Sequence, residues 1–127
     1  MGASLKELFE LRELGALADL DVQLAKSLTR LVGEGSLQVA LGVALASRAV
    51  SRGDVCADLR ALAGRPIELG DGERSSERAW PLLPGWLEAL GASALVEGVG
   101  RDAPREDGPP PLVLDRSDRL YLRRYWR

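Results

Sequence analysis

Residues 37–50, LQVALGVALASRAV, decide the fold. Alanines and Gly42 occur at every helical azimuth of this stretch instead of along one stripe, so neighbours can approach closely on several sides. That is the pattern of a helix at the centre of a packed domain. Ser36, just ahead of it, has the side chain of an N-cap, and Gly53 supplies a stop. Gln38, Gly42, Ser47 and Arg48 interrupt the run, which is shorter than the ~20 residues that cross a bilayer. The stretch therefore predicts a buried central helix and no membrane span.

On its N-terminal side, Ser4-Leu5-Lys6-Glu7 has the form of a capping box and predicts the start of a first helix. Leu5, Leu8, Phe9 and Arg12 share one face of it, and Gly15 stops it. A second helix begins after Asp19, with Leu20, Leu24, Leu28, Leu31 and Val32 recurring at three- and four-residue steps until Gly33-Glu34-Gly35. That apolar stripe is expected to pack on the central helix.

On the C-terminal side, residues 54–57 are too short for a helix and read as extended, after which Asp58 can cap LRALAG as a short fourth helix. Residues 65–78 mix glycine, serine and charge and read as a solvated loop. A fifth helix near Pro81 carries Leu83, Trp86, Leu87 and Leu90 and stops at Gly91. A brief apolar segment at 94–99 leads to RDAPREDGPPP, residues 101–111, a charged, proline-rich connector without a packing face. Leu112-Val113-Leu114 and residues 119–123 then flank the polar turn Asp115-Arg116-Ser117-Asp118, a hairpin signal. The expected fold is α+β and mostly α: a compact bundle of about five helices with a small C-terminal β-hairpin. Its expected organisation is a helical domain over 1–100, the connector over 101–111 and the hairpin over 112–127.

A chain of 127 residues with 46% apolar and 28% charged residues is most simply one globular domain with a core of its own. Cys56 is the single cysteine. It has no intramolecular partner, reads as a buried structural thiol and, with no charged-then-apolar leader, suits a cytoplasmic chain. The net charge of −2 opposes a general attraction to nucleic acid. Positive charge collects at the end instead: Arg116, Arg119, Arg123, Arg124 and Arg127 against Asp118 give a local +4, leaving −6 for the rest.

The catalytic inventory is thin. The sequence has no histidine, which removes the commonest general base and metal ligand, and no GxxxxGK[ST] phosphate loop. Gly70-Asp71-Gly72 lies in an acidic stretch that would repel phosphate. Acidic pairs such as Asp19 with Asp21 are explained by caps and loops. No residue is assigned as catalytic, cofactor-binding or metal-ligating.

Three features carry more information. Arg48 and Arg52 fall four apart just before a glycine stop, where cations oppose the negative end of the helix dipole or meet a partner. Leu20-Asp21-Val22-Gln23 opens the second helix as an acidic N-terminus. The terminal DRLYLRRYW alternates Leu120 and Leu122 with Arg119, Tyr121 and Arg123, as a half-buried strand does, and adds Trp126. Arginine interleaved with aromatics also fits contact with phosphate and bases. Arg48, Arg52, Arg119, Tyr121, Arg123 and Trp126 are thus the candidate partner or DNA contacts.

Taken together, LDVQLA, SRAVSRGDVCADL and DRLYLRRYW, in this order and spacing, resemble the amino-terminal region of the RecD family, the alpha subunit of exodeoxyribonuclease V in the RecBCD complex. The resemblance spans roughly residues 20–126, with no motif in 65–111 beyond helical pattern. It implies a non-catalytic docking domain that attaches an ATP-dependent 5′-3′ DNA helicase subunit to RecC, in a complex acting on double-strand breaks. It also implies that the terminal strand leads into helicase domains absent from this sequence, with ATP and magnesium belonging there and no cofactor here. DNA would be reached through the full complex, with neither a membrane nor a small-molecule ligand involved. A free-standing nucleic-acid-binding domain, supported by Arg48, Arg52 and the terminal arginine-aromatic run, remains the alternative.

Overall fold

A computed structural model describes residues 2–98 and 109–125, with side chains from residue 5 onward. Helix α1 (Gly2–Glu13) is followed by α2 (Asp19–Val32) and α3 (Leu37–Ser51). Strand β1 (Ala57–Asp58) leads into α4 (Leu59–Leu62), then β2 (Pro66–Glu68), β3 (Arg74–Ala79) and α5 (Leu83–Ala92). Strands β4 (Val96–Gly98), β5 (Leu112–Leu114) and β6 (Arg119–Leu122) and a 3₁₀ turn (Arg123–Tyr125) complete the order. The fold is α+β and mostly α, as the periodicity predicts.

Helix α3 is the centre. Ser36 Oγ accepts a hydrogen bond from the Val39 N–H at 3.3 Å, and Val39 through Ser47 are all buried. Gly42 explains how two elements reach it at once: a Cβ there would stand 3.0 Å from Leu120 Cδ2 and 3.0 Å from Leu90 Cδ2. Deleting that one carbon lets α5 and β6 lie against the same turn. Leu8 and Leu11 of α1, Val22 of α2, Leu59 of α4, Trp86 and Leu90 of α5, and Leu112 and Leu120 of the sheet belong to the core around it.

Asp58 caps α4 through its side chain, accepting from the Ala61 N–H at 3.3 Å. The side chain of Ser4, and with it the expected capping box of α1, lies outside the described residues, as do the central connector residues 101–108.

Three expectations change. The leucine stripe of α2 packs only in part: Leu24 and Leu28 are half-buried against the core, Leu20, Leu31 and Val32 are exposed, and the fully buried residues of α2 are Asp21, Val22, Ala25 and Thr29. Helix α2 approaches α3 through its shorter residues, so that the leucines at its two ends, Leu20 and Leu31, turn outward. Residues 65–78 are not a bare loop but contain an antiparallel hairpin, β2 with β3, bulged between Pro66 and Glu68. The C-terminal hairpin is not alone either. β4, from the apolar segment after α5, pairs in parallel with β5, and β1 pairs antiparallel with β6, giving a four-stranded sheet of order β1-β6-β5-β4. The turn between β5 and β6 is held by Asp115 Oδ1, which accepts from the Ser117 and Arg119 N–H groups, and by Asp118 at a positive φ of 61°. Arg60 Nε donates to Asp118 Oδ2 at 2.7 Å, tying this turn to α4.

Candidate interaction site

Outward rotation of α2 leaves an apolar face uncovered. Leu20 is 67% exposed, Leu31 78% and Val32 42%, with Leu24 and Leu28 half-buried beside them. The helix is held at this azimuth by Asp21, a fully buried acid. Its Oδ2 accepts from the Ala18 N–H at 2.9 Å and its Oδ1 from the Ser47 hydroxyl at 2.7 Å. The first bond closes the start of α2 and the second fixes α2 to α3. A buried carboxylate without both would be costly, so the register of the two helices is specified by this pair. Asp21 stands in the LDVQ motif, but nothing in the sequence shows that a serine 26 residues later answers it. A leucine row on a helix ordinarily signals the core face, and here the face centred on Asp21, Val22, Ala25 and Thr29 is buried most deeply, with Leu24 and Leu28 at its margin.

The sequence-predicted contact residues fall into separate groups. Arg48, near the end of α3, donates from Nη1 to the Ala16 carbonyl at 3.2 Å, and its guanidinium carbon lies 5.5 Å from the Trp80 ring centre. Arg52 is the exposed C-cap of α3 beside it. Arg119 and Tyr121 lie on the face of β6 opposite Leu120. The Tyr121 hydroxyl donates to Asp115 Oδ2 at 3.2 Å. Tyr121 itself, with Asp115 next in strength, raises the Arg119 pKa above its ordinary value. The Cys56 thiol is half-buried against the same group, and burial above all pushes its pKa up, opposed by its hydrogen bond with Tyr121. Arg123 turns away: its Nε donates to the Pro110 carbonyl, and its Nη2 stands 3.0 Å from Glu97 Oε1 in an ion pair. Trp126 lies outside the described residues.

This arrangement makes β6 an interior strand, bonded on both sides by β1 and β5. Arg123 of the terminal run pairs with Glu97, and Arg119 lies within the field of Asp115 and Asp58, so part of the positive charge of this stretch is offset where it stands. Among the described residues, no group of three or more His, Cys, Asp or Glu is placed to hold a metal ion, and no helix is long and apolar enough to cross a membrane.

Comparison with known proteins points in one direction. A family model described as "RecBCD enzyme subunit RecD, N-terminal domain" matches residues 13–121. RecBCD enzyme subunit RecD of Mycolicibacterium smegmatis is 42% identical over 110 residues, covering 87% of this chain and 17% of the relative. The subunit of the same name from Mycobacterium tuberculosis is 36% identical over 113 residues, covering 89% of this chain and again 17% of the relative. The chain thus spans about a sixth of the length of the curated relatives it matches.

Proposed function

The chain belongs to the family of RecD amino-terminal domains, and from that premise we propose that it is the docking domain of a RecD-like subunit, attaching it to a RecC-like subunit of a RecBCD complex. The observation that carries this reading is the uncovered apolar face of α2. Leu20, Leu31 and Val32 exposed beside the half-buried Leu24 and Leu28, on a helix fixed to α3 by the Asp21–Ser47 bond, fit a helix surface meant for another protein. The exposure of Leu20 and Leu31 is hard to explain in a domain that acts alone.

In this reading the full-length subunit is an ATP-dependent 5′-3′ DNA helicase serving double-strand break repair in the cytoplasm. ATP and magnesium belong to its motor domains, and this domain contributes attachment, not chemistry. DNA is met through the assembled complex. Residues 112–127, whose strands β5 and β6 belong to the domain's own sheet, in this reading also lead toward the motor domains.

The test is a titration of the chain with its cognate RecC-like subunit and, separately, with DNA oligonucleotides near physiological salt. Tight binding to the subunit, little weakened by salt and lost in a Leu20→Asp, Leu31→Asp double variant of unchanged melting temperature, is expected. DNA binding should be weak, with a log-log salt slope no steeper than about −4 even if every terminal arginine reached a phosphate. Sub-micromolar DNA binding without detectable binding to the subunit would overturn docking in favour of a free-standing nucleic-acid module.

A further inference from the structure

Where the end of α3 meets the β2–β3 hairpin, the surface folds into a cleft of about 200 Å³ whose lining includes Arg48, Arg52, Arg65, Arg74, Glu68 and Trp80. Four arginines against the one carboxylate of Glu68 give this small space a local charge of +3, in a chain whose net charge is −2. Four arginines elsewhere are matched by acids: Arg12 with Asp19, Arg60 with Asp118, Arg78 with Glu7 and Glu10, and Arg123 with Glu97. Arg30, Arg116, Arg119 and Arg124, none of them lining the cleft, form no ion pair among the described residues. Among the described residues no ion pair engages Arg52, Arg65 or Arg74. The Arg48 guanidinium carries the mark of this crowding, since burial first and the charge of Arg52 second lower its pKa below the ordinary value. Like charges brought together by three separate segments of the fold, with Glu68 as the one carboxylate in the lining, leave an excess of positive charge that an anion would offset.

We propose that this cleft recognises the carboxylates of an acidic segment in a partner protein. Guanidinium forks match carboxylates two bonds at a time, and arginine is the residue that does so at interfaces. Three features favour an acidic polypeptide over a polynucleotide. Trp80 is only 3% exposed and has Arg48 against its ring, so the cleft offers no open aromatic face for a base. Its volume is below that of sites built for whole small molecules, about 300–1,000 Å³, and suits one or two acidic side chains. The net negative charge of the chain resists a long polyanion, whereas a short acidic segment needs only the local field.

The proposal rests on the docking reading, with the acidic segment supplied by the subunit bound through α2. Its test uses the chain, an R52Q/R74Q variant and an R116Q control outside the cleft. Each is titrated by fluorescence anisotropy with a labelled glutamate-rich dodecapeptide, its glutamine counterpart and a single-stranded oligothymidylate of equal charge, and then with the RecC-like subunit. Arg48 is left intact because it also holds Ala16 and Trp80. Binding of the acidic peptide alone, weakened about tenfold or more in R52Q/R74Q and unchanged in R116Q, is the expected result. Equal peptide binding by wild type and R52Q/R74Q, no peptide binding, or tighter binding of the oligothymidylate would each overturn the cleft. In those cases docking through α2 stands if the subunit still binds. If the peptide binds as expected but the subunit does not, the docking reading fails and the cleft stands as a carboxylate site for another protein.

Discussion

Trp86 places its indole at the junction of α5 with the start of α3, fully buried, with Nε1 donating to the Gln38 carbonyl oxygen at 2.9 Å. Trp86→Ala removes a large apolar volume and the added hydrogen bond to that helical carbonyl, so it should cost about 3 to 5 kcal/mol. A melting temperature that hardly moves would mean that α5 packs the other way round. Helical spacing with Leu83, Leu87 and Leu90 makes this residue legible as core in sequence. Cys56 is less so, because its surroundings come from strands distant in the chain. Burial raises the Cys56 pKa and, as the largest cause, that of Tyr121 as well. Both groups are neutral when protonated, and a pKa raised in the folded state stabilises the fold below the unfolded value. That contribution is complete at neutral pH, and it fades above about pH 8.5, as the thiol and then the phenol would ionise in the unfolded chain. Chemical denaturation at pH 7 and in mild alkali should show a falling stability, most of the fall absent in Cys56→Ser combined with Tyr121→Phe. Iodoacetamide should label Cys56 slowly at pH 7.5 and faster as alkali approaches its raised pKa; rapid labelling at neutral pH would contradict the burial.

At the scale of elements, what the sequence makes legible is whatever one face of burial stamps on it. Helix α3 is readable because every azimuth is apolar or small, and α4 because Asp58 sits where a cap must. The β2–β3 hairpin is hidden for the opposite reason: β3 reads Arg-Ser-Ser-Glu-Arg-Ala, with no buried residue in it. Its attachment lies in contacts that leave no periodic trace. Arg78 forks onto Glu7 and Glu10 of α1, and Gly15 and Gly70 touch so closely that a Cβ on Gly15 would stand 2.6 Å from Gly70 Cα. The azimuth of α2 has the same root: the leucine stripe reaches the core only through Leu24 and Leu28, because the Asp21–Ser47 bond and the short residues Val22, Ala25 and Thr29 set the face turned inward. Smallness at Gly42 is directly testable. Gly42→Leu would drive a branched side chain into Leu90 and Leu120, and overpacking of that kind costs about 1 to 3 kcal/mol or more. Its melting temperature should drop well below that of Gly42→Ala, for which a gain in helix propensity of about 1 kcal/mol offsets part of the crowding. Equal stability of the two variants would show that α5 and β6 do not share that turn.

Across the whole molecule, the separation of a helical part from a terminal hairpin, natural when reading along the chain, meets a core that runs through both. Leu112 and Leu120 are fully buried in the same cluster as Val43, Leu45 and Leu90. The sheet is closed by strands from both sides of residues 99–108: Val96 pairs with Leu112, and Ala57 with Leu120. Removing β5 and β6 would leave β1 and β4 without any neighbour in the sheet and would open the face of α3 at Gly42. A unit in which no layer is complete without the last strands should unfold in one step. Thermal melts followed by far-ultraviolet dichroism and by tryptophan fluorescence are therefore expected to coincide. A chain ending at residue 111 should lose cooperative melting and near-ultraviolet dichroism while keeping part of its helical signal. If that shortened chain melts as sharply as the intact one, the hairpin is an appendage and the helices stand alone. If it collapses, β6 is part of the domain's own core, and its leucines, rather than its arginines, account for the pattern of DRLYL.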